Sequence, residues 1–263
     1  MFTANSLTTC VLLYGDHAEL AARSLESILQ FQAIAGGAVR VCVNDIGDAT
    51  RDYLRRLCAD GQLSRRDVYD AGENVHKYPM LRAMLYGKRA IATPHLLWLD
   101  DDSFIRNPKR FAEVLPELLA TLDGGAAMVG RLYSQGFQGQ QREWISQQPW
   151  YRGRAWQRVR SEDRMFFCTG GGWLARVNVL REVNWPWPEL DHAGGDHLLG
   201  ACLHQRGATI ERLAGDLLAV NADGDGNESK AALRGFNGRR PLPLGASTTT
   251  TVPPAITQWV PFT

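Results

Sequence analysis

The chain has no run of about 18 consecutive apolar residues, which excludes a membrane-spanning helix of ordinary length. Its first residues lack a charged segment ahead of an apolar core, the pattern of an export signal. Cysteine is scarce and scattered: Cys10, Cys42, Cys58, Cys168 and Cys202 are odd in number and include no Cys-x-x-Cys pair. That usage argues against a disulfide framework or a zinc site and fits buried free thiols in a reducing compartment. Net charge is nearly absent at +1, so there is no global polyanion signature, and any nucleic-acid contact has to come from a local patch. No internal repeat is present. The expectation is a soluble, unprocessed, cytoplasmic protein, and its 263 residues suffice for one large α/β domain or two small ones.

What is present centres on His95-Leu96-Leu97-Trp98-Leu99-Asp100-Asp101-Asp102-Ser103-Phe104, an apolar stretch running straight into three carboxylates. An apolar run of this length reads as a central strand buried on both faces, and ligands of open α/β sheets sit beyond the carboxyl ends of such strands. Asp100 and Asp102, two residues apart, point the same way off an extended backbone, and Asp101 points the other way. Close carboxylates repel each other, and a divalent cation is the usual means of keeping both ionised, so the pair asks for Mg²⁺ or Mn²⁺. A solvated acidic turn is the plain alternative.

Around this strand the chain alternates between β and α. Residues 8–14 read as a first strand, followed by a Gly15-Asp16 turn in which Asp16 caps a helix carrying Ala21, Leu25 and Ile28 and stopped by Gly36-Gly37. Residues 39–43 make a second strand, 44–48 a polar turn, and a helix with Leu54 and Leu57 ends at Gly61. A third strand is expected near 68–70, then a helix opening at Pro79 with Met80, Leu81, Met84 and Leu85 inward. Asn107-Pro108 starts another helix, and 126–130 a further strand. Such alternation predicts a mostly parallel, doubly wound sheet.

From 134 to 164 Gln, Arg, Trp and Tyr dominate, and Trp144, Trp150, Tyr151 and Trp156 are interleaved with Arg142, Arg152, Arg154 and Arg158. This reads as a long loop, able to hold phosphates and stack bases or sugar faces, or simply a lid with solvated charges. Residues 166–176 read as a strand broken by Gly170-Gly171-Gly172, where something approaches the backbone closely. Gly194-Gly195-Asp196-His197 opens a helix with Asp196 in its first turn, where the plain role of a carboxylate is to interact with the helix dipole. Closing strands are expected at 209–213 and 217–221, and the Pro- and Thr-rich tail, 236–263, wraps the surface or moves freely.

The order of these signals resembles the family 2 glycosyltransferases of GT-A fold. The resemblance rests on Tyr14-Gly15, Asn44-Asp45, Glu73-Asn74, Asp100-Asp101-Asp102, Thr169-Gly170-Gly171-Gly172-Trp173 and Gly195-Asp196, and covers roughly residues 7–215. It implies a single Rossmann-like GT-A domain over 1–235, with a nucleotide-sugar half over about 7–131 and an acceptor half over about 132–235. Two departures stand out: the usual Glu-Asp pair is Gly195-Asp196 here, and no histidine follows His204 as a late metal ligand. Asn221, Asp223, Asp225 or water would have to replace it.

What the resemblance implies is transfer of a sugar from a nucleoside diphosphate sugar, by default a UDP-sugar, to an acceptor hydroxyl. Tyr14, Gly15, Asp45, Asn74, Lys77, Asp100 and Asp101 would bind the donor, Asp102 with Asp100 the Mn²⁺ or Mg²⁺, and Asp196 would act as base for inversion. Gly171, Gly172, Trp173, Gly195, Arg154 and Trp156 would meet the acceptor, and a 5-hydroxymethylpyrimidine in DNA is one hydroxyl that fits the Arg-aromatic stretch. Lys77 and Arg82 offer positive charge for the diphosphate, or are ordinary surface cations. The alternatives are a sugar nucleotidyltransferase, a haloacid-dehalogenase-like phosphatase and a non-catalytic nucleotide-sugar binding module. The phosphatase reading suffers because such enzymes carry their acid motif on the first strand.

Overall fold

A computed structural model describes residues 6–136, 164–190, 195–219, 256 and 258–263. The expected first strand is β1 (Leu7–Gly15), followed by α1 (Ala18–Ala35), β2 (Ala38–Ile46), α2 (Asp48–Ala59), the short β3 (Val68–Asp70), α3 (Lys77–Tyr86) and β4 (His95–Asp100). Then come β5 (Phe104–Ile105), α4 (Pro108–Asp123), β6 (Met128–Gly136), β7 (Arg164–Arg176), α5 (Val177–Glu182), α6 (Gly195–Gln205), β8 (Ile210–Arg212) and β9 (Leu218–Ala219).

Seven strands form one sheet in the order β3-β2-β1-β4-β7-β6-β8, and β5 pairs with β9 in a separate ribbon. The β1–β2, β1–β4, β2–β3 and β6–β8 ladders are parallel, while β7 runs antiparallel to both β4 and β6. The sheet is therefore mostly parallel, as the alternation predicted. The chain leaves β1 toward β2 on one side and returns as β4 on the other, which makes the carboxyl ends of β1 and β4 a topological switch point.

Alternation along the strands divides the core into two layers. Cys10, Leu12, Cys42, Leu96 and Trp98 pack with α3 and α6 on one face, and Val11, Leu13, Val41, Val43, Leu97 and Leu99 pack with α1, α2 and α4 on the other. Helix α1 buries Ala21, Leu25, Ile28 and Phe31 at helical spacing, and Phe31 meets Phe111 of α4 edge to face with centroids 5.2 Å apart. Asn107 caps α4 through its side chain, accepting from the Arg110 N–H at 3.0 Å, with Pro108 in the first turn.

Several local expectations are corrected. Asp16 does not cap α1, whose N-cap His17 makes no side-chain cap bond. A Cβ on Gly47 would fall 2.3 Å from the Asp16 carboxylate, so Asp16 rests against that turn instead. Helix α3 opens at Lys77, two residues before Pro79, because side chains organise the turn ahead of it: Asn44 Oδ1 accepts from the Val75 N–H at 2.7 Å and Asn74 Oδ1 from the His76 N–H at 3.0 Å.

Strand β7 is not broken by its glycines but runs continuously for 13 residues. Its register against β6 jumps, however: Gly130 pairs with Trp173 and Leu132 with Cys168, so Arg131 alone faces the interval of residues 169–172. In the tail, Val260 bridges Asp70 antiparallel, Trp259 packs edge-on to Tyr69, and Phe262 is buried beneath Arg51. These residues extend the β3 edge of the sheet.

Candidate functional site

Period-two alternation puts Asp100, the last residue of β4, on the same face as Leu96 and Trp98, toward α3 and α6. The Trp98 indole N–H donates to Asp100 Oδ1 at 3.0 Å. Lys77, first residue of α3, donates to Asp100 Oδ2 at 3.0 Å, and its Nζ lies 3.8 Å from Asp196 Oδ2. The Lys77 side chain is only 8% exposed, and those of Asp100 and Asp196 are 19% and 17% exposed. Lys77 is thus no solvated surface charge. Burial works to lower its pKa, but the Asp100 and Asp196 carboxylates outweigh burial and hold it above the ordinary lysine value, so the ammonium stays charged.

Asp196 is fixed by its backbone. Its N–H donates to the Tyr78 hydroxyl at 3.1 Å, and the neighbouring Gly195 carbonyl accepts from the Trp185 indole at 3.3 Å. Tyr78 is buried and meets Trp185 edge to face at 5.7 Å. Burial first, and the Asp196 charge second, push the Tyr78 hydroxyl well above the ordinary tyrosine value, which keeps it protonated. Behind them Trp173, fully buried, stacks on Trp98 with centroids 6.4 Å apart and planes 18° from parallel. Its contact with the site runs through Trp98 and through Trp185, which it meets edge to face at 6.0 Å, rather than through an exposed ring.

The glycines acquire specific neighbours. A Cβ on Gly171 would stand 2.0 Å from the Asp100 backbone nitrogen, and one on Gly195 would stand 2.4 Å from the Tyr78 ring. The room that glycine leaves at these two positions is filled by the protein itself, and this close approach draws β7 and α6 onto the acid cluster. Gly172 pairs with Leu99 of β4.

The remaining residues expected on the donor side line the same edge of the sheet. Tyr14 and Gly15 end β1 opposite Asn44 and Ile46, with Gly15 at φ 66° accepting from the Gly47 N–H at 3.1 Å. Asp45 is exposed at φ 57°, and because α2 is capped by Gly47 without any side chain, Asp45 has no capping duty there. Asn74 is exposed in the loop before Lys77. Arg82 points elsewhere, donating to the Asn184 and Pro186 carbonyls at 3.3 and 2.7 Å. Beyond β4 the chain turns sharply, with the Ser103 N–H bonded to the Asp100 carbonyl at 2.9 Å. Asp101 is buried, and Asp102 is half-buried with Ser103 Oγ 3.4 Å from its Oδ1. Arg154, Trp156, Asn221, Asp223 and Asp225 lie outside the described residues.

Among the described residues no group of three or more His, Cys, Asp and Glu side chains forms a metal cage. The donor set nonetheless divides usefully. Both Asp100 oxygens accept a hydrogen bond, from Lys77 and Trp98, and Asp102, half-buried at the turn, accepts from Ser103 Oγ at 3.4 Å. Residues that sequence reasoning missed are Trp98, Tyr78 and Trp185. The first was legible from its spacing of two from Asp100, and the others become visible only when α3 meets α6.

No protein-family model matches the chain, and no curated protein sequence matches it. Solved structures do. The mannosyltransferase PcManGT from Pyrobaculum calidifontis, in complex with GDP-Man and Mn²⁺, superposes with a TM-score of 0.50 at 16% identity, covering 81% of this chain and 56% of that one. Residues 1–349 of S. aureus TarS give 0.48 at 14% identity over 80% of this chain and 58% of that one. GalNAc-T7 with UDP, GalNAc and Mn²⁺ gives 0.49 at 9% identity over 79% and 41%. The chain therefore spans about half the length of the structures it matches, and its fold is that of the GT-A glycosyltransferases.

Proposed function

We propose that the chain is a metal-dependent glycosyltransferase that moves a sugar from a nucleoside diphosphate sugar, by default a UDP-sugar, to an acceptor hydroxyl with inversion. The observation that carries this reading is the meeting of Asp100, at the carboxyl end of β4, and Asp196, at the start of α6, on the one Lys77 ammonium. The resemblance in fold to nucleotide-sugar transferases supports it. In this reading Tyr14, Gly15, Asp45 and Asn74 form the nucleoside side of the site, and Asp101, buried in the turn after β4, completes the donor side.

Asp102 is the residue that would hold Mn²⁺ or Mg²⁺ directly, and Asp100 would serve as an outer partner or a ribose acceptor. When bound, the cation supplies positive charge against the negative charge that gathers on the departing diphosphate. Asp196 takes the proton of the attacking hydroxyl, the single carboxylate that an inverting displacement needs. Lys77 holds the two acids at a fixed separation and offsets their mutual repulsion. Tyr78 and Trp185 fix the backbone from which Asp196 projects. Gly171, Gly172, Trp173 and Gly195 shape the acceptor side by letting β7 and α6 close on this cluster.

A 5-hydroxymethylpyrimidine in DNA remains the acceptor proposed for the Arg-aromatic stretch that contains Arg154 and Trp156. Transfer of labelled sugar to hydroxymethylated duplex DNA, with an electrophoretic shift at moderate salt, tests that part alone. The central reading is tested by a thermal-shift panel of nucleoside diphosphate sugars with and without Mn²⁺. One donor should raise the melting temperature only with metal, and Asp102→Ala should abolish that rise. Asp196→Asn should keep the rise and lose transfer, and NMR of the new linkage should show inversion. If no nucleoside diphosphate sugar stabilises the chain with either cation, the proposal fails.

A further inference from the structure

A second concave site lies where β6, β8 and the β5–β9 ribbon come together. It is a cleft of about 490 Å³ whose walls include Arg106, Arg131, Arg212, Tyr133, Leu213 and Leu218. We infer that this cleft binds a phosphate monoester of sugar-phosphate to nucleotide size, through residues separate from the Asp100–Lys77–Asp196 cluster. The inference does not rest on the transferase reading.

The backbone brings the three arginines together from distant parts of the sequence. Arg212 is the register partner of Gly130, Arg131 is the single β6 residue facing the 169–172 interval, and the Arg106 N–H bonds to the Leu217 carbonyl at 3.0 Å. Two of the guanidinium groups lie over aromatic rings, Arg131 at 5.3 Å from the Tyr133 centroid and Arg106 at 5.9 Å from that of Phe104. Such stacking restricts a long side chain before any ligand arrives. The described residues lining the cleft include no carboxylate. Three guanidinium groups brought by separate elements to one concavity present charge-assisted forks that can converge on one anion.

The dimensions narrow the ligand. Small-molecule sites occupy roughly 300–1,000 Å³, so this cleft exceeds what a bare phosphate fills and suits a phosphate carrying a sugar-sized body. The buried Leu213 and Leu218 supply an apolar wall for that body. A monoester carries up to two negative charges on one group and satisfies several guanidinium forks at once. A phosphodiester chain carries one charge per phosphate and would need a track that continues beyond the cleft.

The cleft also has a defined relation to the acid cluster. Gly172 lines it, while the adjacent Gly171 abuts Asp100, so one glycine stretch of β7 separates the two sites.

The test is calorimetric titration of the full chain at low salt with glucose 6-phosphate, inorganic phosphate, glucose and a short phosphodiester oligonucleotide. Saturable binding of the sugar phosphate is expected, weaker binding of phosphate, and none of glucose. Arg106→Gln and Arg212→Gln should each weaken the sugar phosphate about tenfold, the loss of one charge-assisted pair, with melting temperature unchanged because both side chains are exposed. Asp102→Ala should leave this binding intact. Four results would overturn the inference: no saturable binding, unchanged affinity in both arginine variants, loss in Asp102→Ala, or preference for the oligonucleotide.

Discussion

Replacing Lys77 by Met keeps the length and apolar stem of the side chain and removes its ammonium from between Asp100 and Asp196. At the 3.0 Å separation from Asp100 and an effective dielectric of about 20, the lost attraction is about 5.5 kcal/mol before desolvation is counted. Removing one partner of a buried pair costs about 3–5 kcal/mol because the other charge is left behind. Asp100 is 19% exposed and keeps its bond from Trp98, so water and the indole recover part of the loss and the lower end, about 3 kcal/mol, is expected. For a domain of this size that lowers the melting temperature by roughly 6–12 °C. Urea unfolding should show the midpoint falling with unchanged slope. Because the folded-state pKa of Lys77 is raised, its contribution is complete below the unfolded lysine value, about 10.4, and disappears only as pH climbs through the higher folded one. The difference between wild type and variant should therefore stay constant from about pH 7 to about pH 10. Adding Asp100→Asn should restore part of the stability, since the amide oxygen still accepts from Trp98 and only the more distant Asp196, 3.8 Å from the ammonium in the wild type, keeps a charge. A loss under about 1 kcal/mol, the range of an exposed pair, or a double variant no better than the single, would refute the ion pair as the centre of the site.

Two further outcomes follow from the packing. Gly171→Ala drives a Cβ against the Asp100 backbone, and backbone cannot rotate aside. The variant should lose about 1–3 kcal/mol by overpacking and show no nucleotide-dependent thermal shift. A variant that melts and binds like wild type would place β7 further from β4. His197 is packed on Phe167 with centroids 4.1 Å apart, and burial lowers its pKa. Its neutral form is the folded one, so stability is full above the unfolded histidine value, about 6.5, and is lost as pH falls through the lower folded value. Urea midpoints measured at about pH 7.5 and 5 should fall more for wild type than for His197→Gln, and equal falls would contradict the buried placement.

The strands of the first hundred residues were legible because their apolar runs and glycine stops are local. The 95–100 strand, the alternation ahead of it and the helix opening at Asn107-Pro108 all depend on neighbours in sequence. The site was legible only as a set of ends. Asp100 and Asp196 each stood at the terminus of an element, but their meeting on Lys77 depends on how α3 and α6 pack, which no local pattern encodes. The glycines show the limit most clearly. An absent side chain announces a close approach without saying by what, and substrate was the expectation where the Asp100 backbone and the Tyr78 ring are found. Lys77, read as a surface cation or a phosphate contact, is buried because the side chains that enclose it come from β4, α3 and α6 together. The β5–β9 ribbon escaped notice because two residues per strand carry no period.

The convergence of Lys77 and Asp196 also offsets charge at a sheet edge crowded with acids. Lys77 is the first residue of α3 and Asp196 the second of α6, and the Tyr78 hydroxyl to Asp196 N–H contact of 3.1 Å puts the two helix starts side by side. Each start carries a partial positive charge, about half an elementary charge, from the alignment of its peptide dipoles. Asp196 and Asp100 thus share one ammonium beside two helix starts, which makes the carboxyl end of β4 less negative than Asp100, Asp101 and Asp102 suggest in sequence. The same count explains why the cluster tolerates burial: each carboxylate that leaves water is matched by a donor or a dipole already fixed by the fold.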